Sequence, residues 1–361
     1  MPIEAAALPD LLSRLVAIDS TNPDLVPGAP GEGEIARFVA QWLERAGLDV
    51  TIEEAAPGRP NVVGVVRGSG GGRSLMLNAH TDTVGAGGME QPWTPRIDGD
   101  RLFGRGAFDM KGSLAAIMLV AAEARRANLR GDLIVTAVCD EEYASIGTQA
   151  VVERWRADAA IVTEPTDLDL VIAHKGFIWY AVETRGVAAH GSLPDEGVDA
   201  IAKMGPVLLG VQALDQGLRE REHHPLLGAP AIHASLIAGG QELSSYPASC
   251  RLEIERRTLP GETAELAARQ LELLLDGVGR ADAAFDAKLT TMLARNPFAI
   301  DPNAEIVQMV RRHAAAVIGR EPALIGQGGW MDSSLLDAAG IPCVIFGPTG
   351  DGAPPARCCS P

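Results

Sequence analysis

The chain has 361 residues, 47% of them hydrophobic, and a formal net charge of −16 at pH 7. A chain of this length exceeds the size at which a single hydrophobic core stops growing, so we expect two domains. The acidic surplus disfavours binding to nucleic-acid phosphates and to anionic membranes, because both attract basic surfaces. We therefore predict a globular protein that has neither nucleic acid nor a membrane as a partner.

The first 22 residues are rich in alanine and leucine but do not have the pattern of a signal peptide. Glu4, Asp10 and Asp19 interrupt them, no basic head precedes them, and their leucines are spaced as in an amphipathic helix. The longest apolar run, Leu114 to Ala122, is shorter than the roughly 20 residues that cross a bilayer. We expect a cytoplasmic protein whose five cysteines are reduced thiols.

Short β-branched runs alternate with helical stretches in the first half of the chain, which predicts an α/β sheet covered by helices. The predicted elements are strands Asp49 to Glu54, Asn61 to Arg67 and Ser74 to Ala79, a helix from about Ser113, and strands Leu133 to Cys139 and Ile161 to Thr163. The helix after Gly112 is apolar nearly all round, as expected of a helix packed against a sheet.

The order of elements changes from residue 176 to about residue 292, where it becomes strand, helix, strand, strand, helix, strand. These predicted elements are Phe177 to Thr184, Val198 to Leu218, Ala231 to Ile237, Arg251 to Arg257, Thr263 to Leu275 and Ala284 to Thr290. This is the βαββαβ order of a ferredoxin-like module. We predict an inserted lid domain at 176–292, and a discontinuous catalytic domain at 1–175 and 293–361 that resumes with a helix from Ala304 to Val317.

Acidic residues and one histidine follow the predicted strands of the first half. His80 and Asp82 follow one strand, Glu141 and Glu142 another, and Glu164 a third. In an open α/β sheet the carboxyl ends of strands border the ligand crevice, so we expect these side chains to converge. Each motif alone has an ordinary explanation, such as a solvated turn, and it is the convergence that favours a functional site.

A glycine-rich loop adds Asp109, for which a helix N-cap is the ordinary explanation. Glu141 and Glu142 also follow Asp140, and three consecutive acids repel one another unless cations neutralise them. A histidine on a metal usually has its second ring nitrogen held by a carboxylate, and Asp82 is placed for that role. The oxygen and nitrogen donors suit zinc, with cobalt or manganese as alternatives.

Several stretches together resemble the zinc amidohydrolase and metallopeptidase family of acetylornithine deacetylase, succinyl-diaminopimelate desuccinylase, aminoacylase and glutamate carboxypeptidase. The resemblance covers nearly the whole chain. The matching stretches are Asn78 to Val84, Arg105 to Gly112, Cys139 to Glu142, Thr163 to Pro165 and Arg185 to Pro194. It implies a metal-dependent exopeptidase-like catalytic domain with a mixed sheet covered by helices, and a lid domain that forms a homodimer.

The resemblance also implies roles for individual residues. His80, Asp109 and Glu164 would hold one zinc, and Asp109 would bridge to a second zinc held also by Glu142. Asp82 would support His80. Glu141 would be the general base, taking a proton from metal-bound water and delivering it to the leaving amine.

Three further residues are implied by the resemblance, each beside an ordinary alternative. His190 would reach the partner subunit's active site and stabilise the oxyanion, although a lone histidine more often has a surface or packing role. Arg257 would bind a substrate carboxylate, which suits a bidentate guanidinium, or would be a surface charge. Asp332 resembles a substrate-binding residue of the cleft.

The C-terminus departs from the family pattern. Relatives follow Gly-Ala with a histidine that completes the second zinc site, whereas this chain has Pro354 after Ala353. Proline offers no ligand atom, so we expect one complete metal site and one that lacks a ligand, and we interpret the tail as frameshifted or truncated. The predicted function is cleavage of the amide of an N-acyl amino acid, with a carboxypeptidase or dipeptidase and a catalytically impaired binding protein as alternatives.

Overall fold

The computed structural model describes residues 7–221 and 223–350, which divide into two compact units. The large unit comprises the residues up to Ile172, Ile300–Ile325 and those from Met331 on. The small unit comprises Ala173–Ala299 and Gly326–Trp330. Among the residues in these described ranges, no helix is long and apolar enough to cross a membrane.

The large unit is a mixed sheet with helices packed on it. Its helices are α1 (Leu8–Val16), α2 (Gly33–Arg45), α3 (Gly112–Ala124), α4 (Ile146–Arg154), α7 (Glu305–Ile318) and α8 (Ser333–Ala338). Its strands are β1 (Asp49–Ala56), β2 (Arg59–Val66), β3 (Leu75–His80), β6 (Leu133–Val138), β7 (Ala159–Val162) and β15 (Cys343–Ile345), with a small hairpin of β4 (Arg96–Asp98) and β5 (Arg101–Phe103). Strands β8 (Leu170–His174), β13 (Phe298–Ala299) and β14 (Leu324–Gln327) continue the sheet.

The sheet order is β1-β2-β6-β3-β7-β15-β8-β13, and β14 also pairs with β8. Strand β3 is parallel to β6 on one side and to β7 on the other. The outer pairs β1–β2 and β2–β6 are antiparallel. The predicted α/β fold with a mixed sheet is confirmed, and its parallel centre brings the ends of β3, β6 and β7 to the same edge.

The core of the large unit lies between this sheet and helices α1, α2 and α3. Buried leucines of α1 and α2, such as Leu15 and Leu43, meet the buried face of α3 at Leu114 and Met118. The residues of α3 are buried or half-buried along its whole length, as its apolar composition predicts. Because α3 is held on several sides, the glycine-rich loop that precedes it has a rigid anchor.

The small unit has the predicted strand-helix-strand-strand-helix-strand order. Its elements are β9 (Gly176–Arg185), α5 (Ala200–Arg219), β10 (Ala231–Gly239), β11 (Ser249–Thr258), α6 (Ala264–Ala281) and β12 (Asp286–Arg295). The sheet order is β10-β11-β9-β12 with every pair antiparallel. Both helices begin at capping side chains, since Asp199 accepts from the Ala202 amide at 2.9 Å and Thr263 from the Leu266 amide at 3.2 Å.

Candidate metal centre

The central strands of the large unit end next to one another, and each end leads into a predicted site residue. His80 closes β3 and is paired in register with Val138, the last residue of β6. Asn78 of β3 is paired with Val162, the last residue of β7. Glu141 and Glu142 therefore follow β6, and Glu164 follows β7, at the edge where His80 lies.

His80 is buried, with a relative exposure of 1%, and each of its ring nitrogens faces oxygen atoms. Nδ1 lies 2.9 Å from the backbone carbonyl of Asp82, which accepts the ring proton. Nε2 lies 3.0 Å from Asp109 Oδ1 and 3.6 Å from Glu164 Oε1. With Nδ1 as the donor, the lone pair of Nε2 points toward two carboxylates, which is the arrangement of a histidine that ligates a metal.

Asp82 contacts both His80 and the turn of the two glutamates. Its carboxylate lies 3.5 Å from His80 Nδ1, and its backbone carbonyl lies closer, at 2.9 Å. The carboxylate also accepts the backbone N–H groups of Glu141, at 3.1 Å, and Glu142, at 3.2 Å. Burial alone would raise the pKa of Asp82, but the hydrogen bond and charge of His80 hold that pKa below its ordinary value. Asp82 therefore fixes the turn that carries the two glutamates.

The ligand atoms form two overlapping groups. His80, Asp109 and Glu142 each offer an atom within 4.8 Å of the others, and so do His80, Glu141 and Glu164. Burial, followed by the charges of neighbouring carboxylates, raises the pKa of Glu142 to about 8 and those of Glu141 and Glu164 well above their ordinary range.

These residues fit a divalent metal ion. Glu164 Oε1 is buried without a hydrogen-bond partner among the residues that the structure describes, and a cation would satisfy it. The side chain of Asp109 is 48% exposed, so this flank of the group remains open to solvent. One nitrogen and several carboxylate oxygens are a donor set for zinc, cobalt or manganese.

Asp140 does not point into this group, although the sequence places it in one run with Glu141 and Glu142. Its carboxylate accepts from Arg59 Nη2 at 2.8 Å and from Asn22 Nδ2 at 3.0 Å. The cation that neutralises Asp140 is therefore the guanidinium of Arg59. The two glutamates remain to be balanced by other charges.

Comparison with known proteins identifies the family. Residues 76–360 match the model of peptidase family M20/M25/M40. The chain belongs to this family. Acetylornithine deacetylase from Myxococcus xanthus is 32% identical over 362 residues, covering 95% of this chain and 89% of that protein. The resemblance stated from the sequence motifs is thereby confirmed, and the protein is a metal-dependent hydrolase.

Solved structures of other M20 proteins share the fold. A tripeptidase from Staphylococcus aureus superposes with a TM-score of 0.74 at 23% identity, covering 96% of this chain and 90% of that chain. A protein from Bacillus subtilis, described as a dinuclear metal-binding peptidase, superposes with a TM-score of 0.70 at 16% identity, covering 97% of this chain and 91% of that chain.

Asp332, which we predicted to bind substrate, lies inside the large unit with a relative exposure of 1%. Its Oδ2 accepts from Thr148 Oγ1 at 2.6 Å, and burial raises its pKa to about 6. Its Oδ1 has no hydrogen-bond partner within the described ranges. Asp332 is thus bonded to α4, and its charge contributes to the raised pKa of Glu141 and Glu164. Its role in substrate binding stays a prediction.

The small unit carries the other two predicted residues. His190 is exposed, and its Nδ1 lies 2.8 Å from Ser192 Oγ and 3.2 Å from the Ser192 backbone nitrogen. Because that N–H donates to Nδ1, the neutral ring carries its proton on Nε2. Arg257 donates to Glu255 at 2.6 Å and 3.3 Å and lies over the ring of Phe177, 5.5 Å from its centroid.

Sequence reasoning did not predict two residues next to the metal centre. Asn22 and Arg59 contact the acidic residues around the centre, but neither lies in a motif that predicts a functional site. The only sequence signal for Asn22 is that a short polar segment follows α1.

The sequence also predicts that one metal site lacks a ligand because of Pro354. This residue lies outside the described ranges.

Proposed function

We propose that the protein hydrolyses the amide bond of an N-acyl amino acid with a free carboxylate, as its acetylornithine deacetylase relative is named to do. The observation that carries the proposal is the gathering of His80, Asp109, Glu141, Glu142 and Glu164 at one sheet edge. We propose His80, Asp109, Glu142 and Glu164 as metal ligands, and one or two zinc ions per chain, with cobalt or manganese able to substitute.

A divalent ion bound there would lower the pKa of a water molecule from about 15.7 toward about 7 and polarise the substrate carbonyl. Glu141 would then accept a proton at its carboxylate and deliver it to the nitrogen of the leaving amine. Its backbone is held by Asp82, so the carboxylate starts from a fixed position. Burial raises the pKa of Glu141, and a raised pKa suits a carboxylate that must hold a proton between the two steps.

The substrate would be recognised by residues of the small unit. Arg257 would bind the free carboxylate through its planar guanidinium, which matches a carboxylate in two hydrogen bonds. His190 would reach the active site of the partner subunit and donate from Nε2 to the negative oxygen that develops on the carbonyl, because its Nδ1 already accepts from Ser192. Asp332 of the large unit, whose carboxylate Thr148 holds, would contribute to substrate binding in the cleft.

We also propose a homodimer formed through the small unit. Strand β10 lies at one edge of the four-stranded sheet, and its residues from 233 to 239 are exposed. Leu236 is 65% exposed and Ile237 54% exposed. An exposed, apolar edge strand is suited to pair with the same strand of a second chain. Free, buried thiols at Cys139, Cys250 and Cys343 accord with the reducing cytoplasm that we propose as its compartment.

A substrate panel and one substitution test the function. Purified protein reconstituted with zinc should hydrolyse acetylornithine or another N-acyl amino acid faster than dipeptides. The fold shared with a tripeptidase makes peptide hydrolysis the second candidate, and the same panel separates the two. Glu141→Gln should abolish turnover with zinc binding retained, whereas Glu153→Gln, an exposed residue of α4, should leave it unchanged. Equal activity of the wild type and Glu141→Gln would refute the assignment of the base.

The metal stoichiometry tests the prediction about the C-terminus. Because Pro354 stands where relatives have a ligand, we expect one tight zinc per chain in isothermal titration. Two tight sites would show that another group completes the second site.

A further inference from the structure

A short segment after α1 lies against the end of β3, next to the metal centre. The backbone N–H of Asn22 donates to the Thr83 carbonyl at 2.9 Å, and the Thr83 N–H donates to the Ser20 carbonyl at 3.1 Å. Asn22 and Ser20 are both 0% exposed. These two bonds fix the Asn22 backbone relative to the loop that carries His80 and Asp82.

Both polar atoms of the Asn22 side chain have hydrogen-bond partners. Its Nδ2 donates to Asp82 Oδ2 at 2.8 Å and to Asp140 Oδ1 at 3.0 Å, while its Oδ1 accepts the Asp24 N–H at 2.9 Å. This network sets the orientation of the amide, since the opposite orientation would place an oxygen against two carboxylates. An uncharged side chain that offers two N–H groups is what this position requires.

Both carboxylates that Asn22 binds shape the turn of the two glutamates. The Asp82 carboxylate accepts the N–H groups of Glu141 and Glu142. Asp140 has a φ of +67°, in the left-handed region that non-glycine residues rarely adopt. Such a conformation persists where surrounding contacts hold it, and here Asn22 shares that role with Arg59.

We propose that Asn22 is a positioning residue of the metal centre, which holds Asp82 and Asp140 so that Glu141 and Glu142 face the other ligands. It contacts none of the proposed metal ligands through its side chain and acts through these two carboxylates. The inference rests on the proposed metal site. It assigns a role to the segment after α1, which none of the motifs includes.

The test replaces Asn22 by leucine, which keeps the branching at Cγ but is larger and has no donor, and by serine, which keeps one donor and leaves room for water. Asn61 is the matched control, because it is also 0% exposed and its amide bonds the Gly147 carbonyl and the Cys139 N–H instead of carboxylates. Zinc affinity is measured by competition with a chelating dye, and the ligand field by the visible spectrum of the cobalt-loaded protein. Thermal unfolding of the metal-free proteins reports stability separately.

We expect Asn22→Leu to weaken zinc binding by about 10- to 100-fold and to change the cobalt spectrum, with Asn22→Ser between it and the wild type. In activity assays the loss should fall on kcat rather than on KM, because the substrate is not touched. Asn61→Leu should lower thermal stability with zinc affinity and cobalt spectrum unchanged.

Two results would overturn the inference. Wild-type zinc affinity and cobalt spectrum in folded Asn22→Leu or Asn22→Ser would show that the amide does not position the ligands. An equal loss of affinity in Asn61→Leu would show that the effect is general destabilisation. A wild-type chain that binds no zinc would refute the proposed function together with this inference, whereas normal wild-type binding with unaffected variants would refute the positioning role alone.

Discussion

Replacement of Arg59 by methionine is expected to lower the free energy of unfolding of the large unit by about 3–5 kcal/mol. The guanidinium binds Glu32 through two hydrogen bonds of 2.8 Å each and Asp140 through a third of 2.8 Å. The side chain of Glu32 is 0% exposed and that of Asp140 is 2% exposed. Methionine fills a similar volume but leaves two buried carboxylates without their cation, and that is the source of the cost.

Arg59 also binds Asp24, whose side chain is 49% exposed. Arg67 is the control, since it contacts two carboxylates and directly follows the strand in which Arg59 lies. It lies near Asp49 at 3.2 Å and Asp132 at 2.9 Å, but its side chain is 61% exposed. Water and salt screen an exposed pair, so Arg67→Met should cost no more than about 1 kcal/mol. The comparison tests burial, because both arginines bind carboxylates and differ mainly in how exposed these ion pairs are.

The loss caused by Arg59→Met should also depend on pH. Burial raises the pKa of Glu32 above its ordinary value, and the hydrogen bond from Arg59 offsets part of that shift. Without Arg59 the pKa of Glu32 rises further. An acid with a raised pKa in the folded state contributes stability below its unfolded pKa, near 4.5, and this contribution is lost as the pH rises through the folded pKa. The difference between Arg59→Met and the wild type should therefore be larger at pH 8 than at pH 5.

Urea unfolding of the chelator-treated protein measures these differences, and hydrogen exchange of peptides from β2 and β6 restricts the measurement to the large unit. Chelation is needed because a bound ion would add its own stabilisation. If Arg59→Met and Arg67→Met lost similar amounts of stability, or if the loss from Arg59→Met did not grow with pH, the reasoning about the buried ion pairs would be wrong.

Further predictions address the metal, the packing and the assembly. The metal-free protein should lose thermal stability as the pH rises from about 5 to about 8, because the folded-state pKa of Glu142 is raised to about 8. Zinc should abolish this dependence on pH. Calorimetry that showed the same dependence in Glu142→Gln would contradict the prediction. Gly147→Ala would place a Cβ 2.3 Å from the Cys139 carbonyl oxygen and should lower the free energy of unfolding by about 1–3 kcal/mol. Gly205→Ala has open space around it and should raise the free energy of unfolding by about 0.5–1 kcal/mol. Equal effects in urea unfolding would refute the packing argument. Leu236→Lys should yield monomers in sedimentation velocity, and an unchanged dimer would place the interface elsewhere.

Local patterns in the sequence predicted much of the fold. The β-branched runs around β2, β3 and β6 and the apolar helix α3 have strong local signals, and the ligand motifs follow directly after strands. Strand β8 was not predicted, because its five residues carry little periodicity, only Lys175 separates it from β9, and it is defined by long-range pairing with β13, β14 and β15. The strand order itself also depends on pairings between distant segments.

The contacts around the site were less predictable than its members. His80 and the glutamates were found from their positions at strand ends, but nothing local shows that Arg59 neutralises Asp140. That pair joins residues 81 positions apart, and the choice between a metal ion and a guanidinium as the cation for Asp140 depends on three-dimensional packing. Asp332 was predicted as a cleft residue by resemblance, and its burial against Thr148 became visible only in the folded chain.

The two ends of the inserted segment are hydrogen-bonded neighbours, since Ala173 and His174 of β8 pair antiparallel with Ala299 and Phe298 of β13. An insertion whose first and last strands already lie side by side imposes almost no loop-closure entropy on its host. Recombination could replace this segment with any module whose first and last strands lie next to each other. The same geometry marks residues 173 and 299 as the junctions for building chimaeras that combine the large unit with different inserted modules.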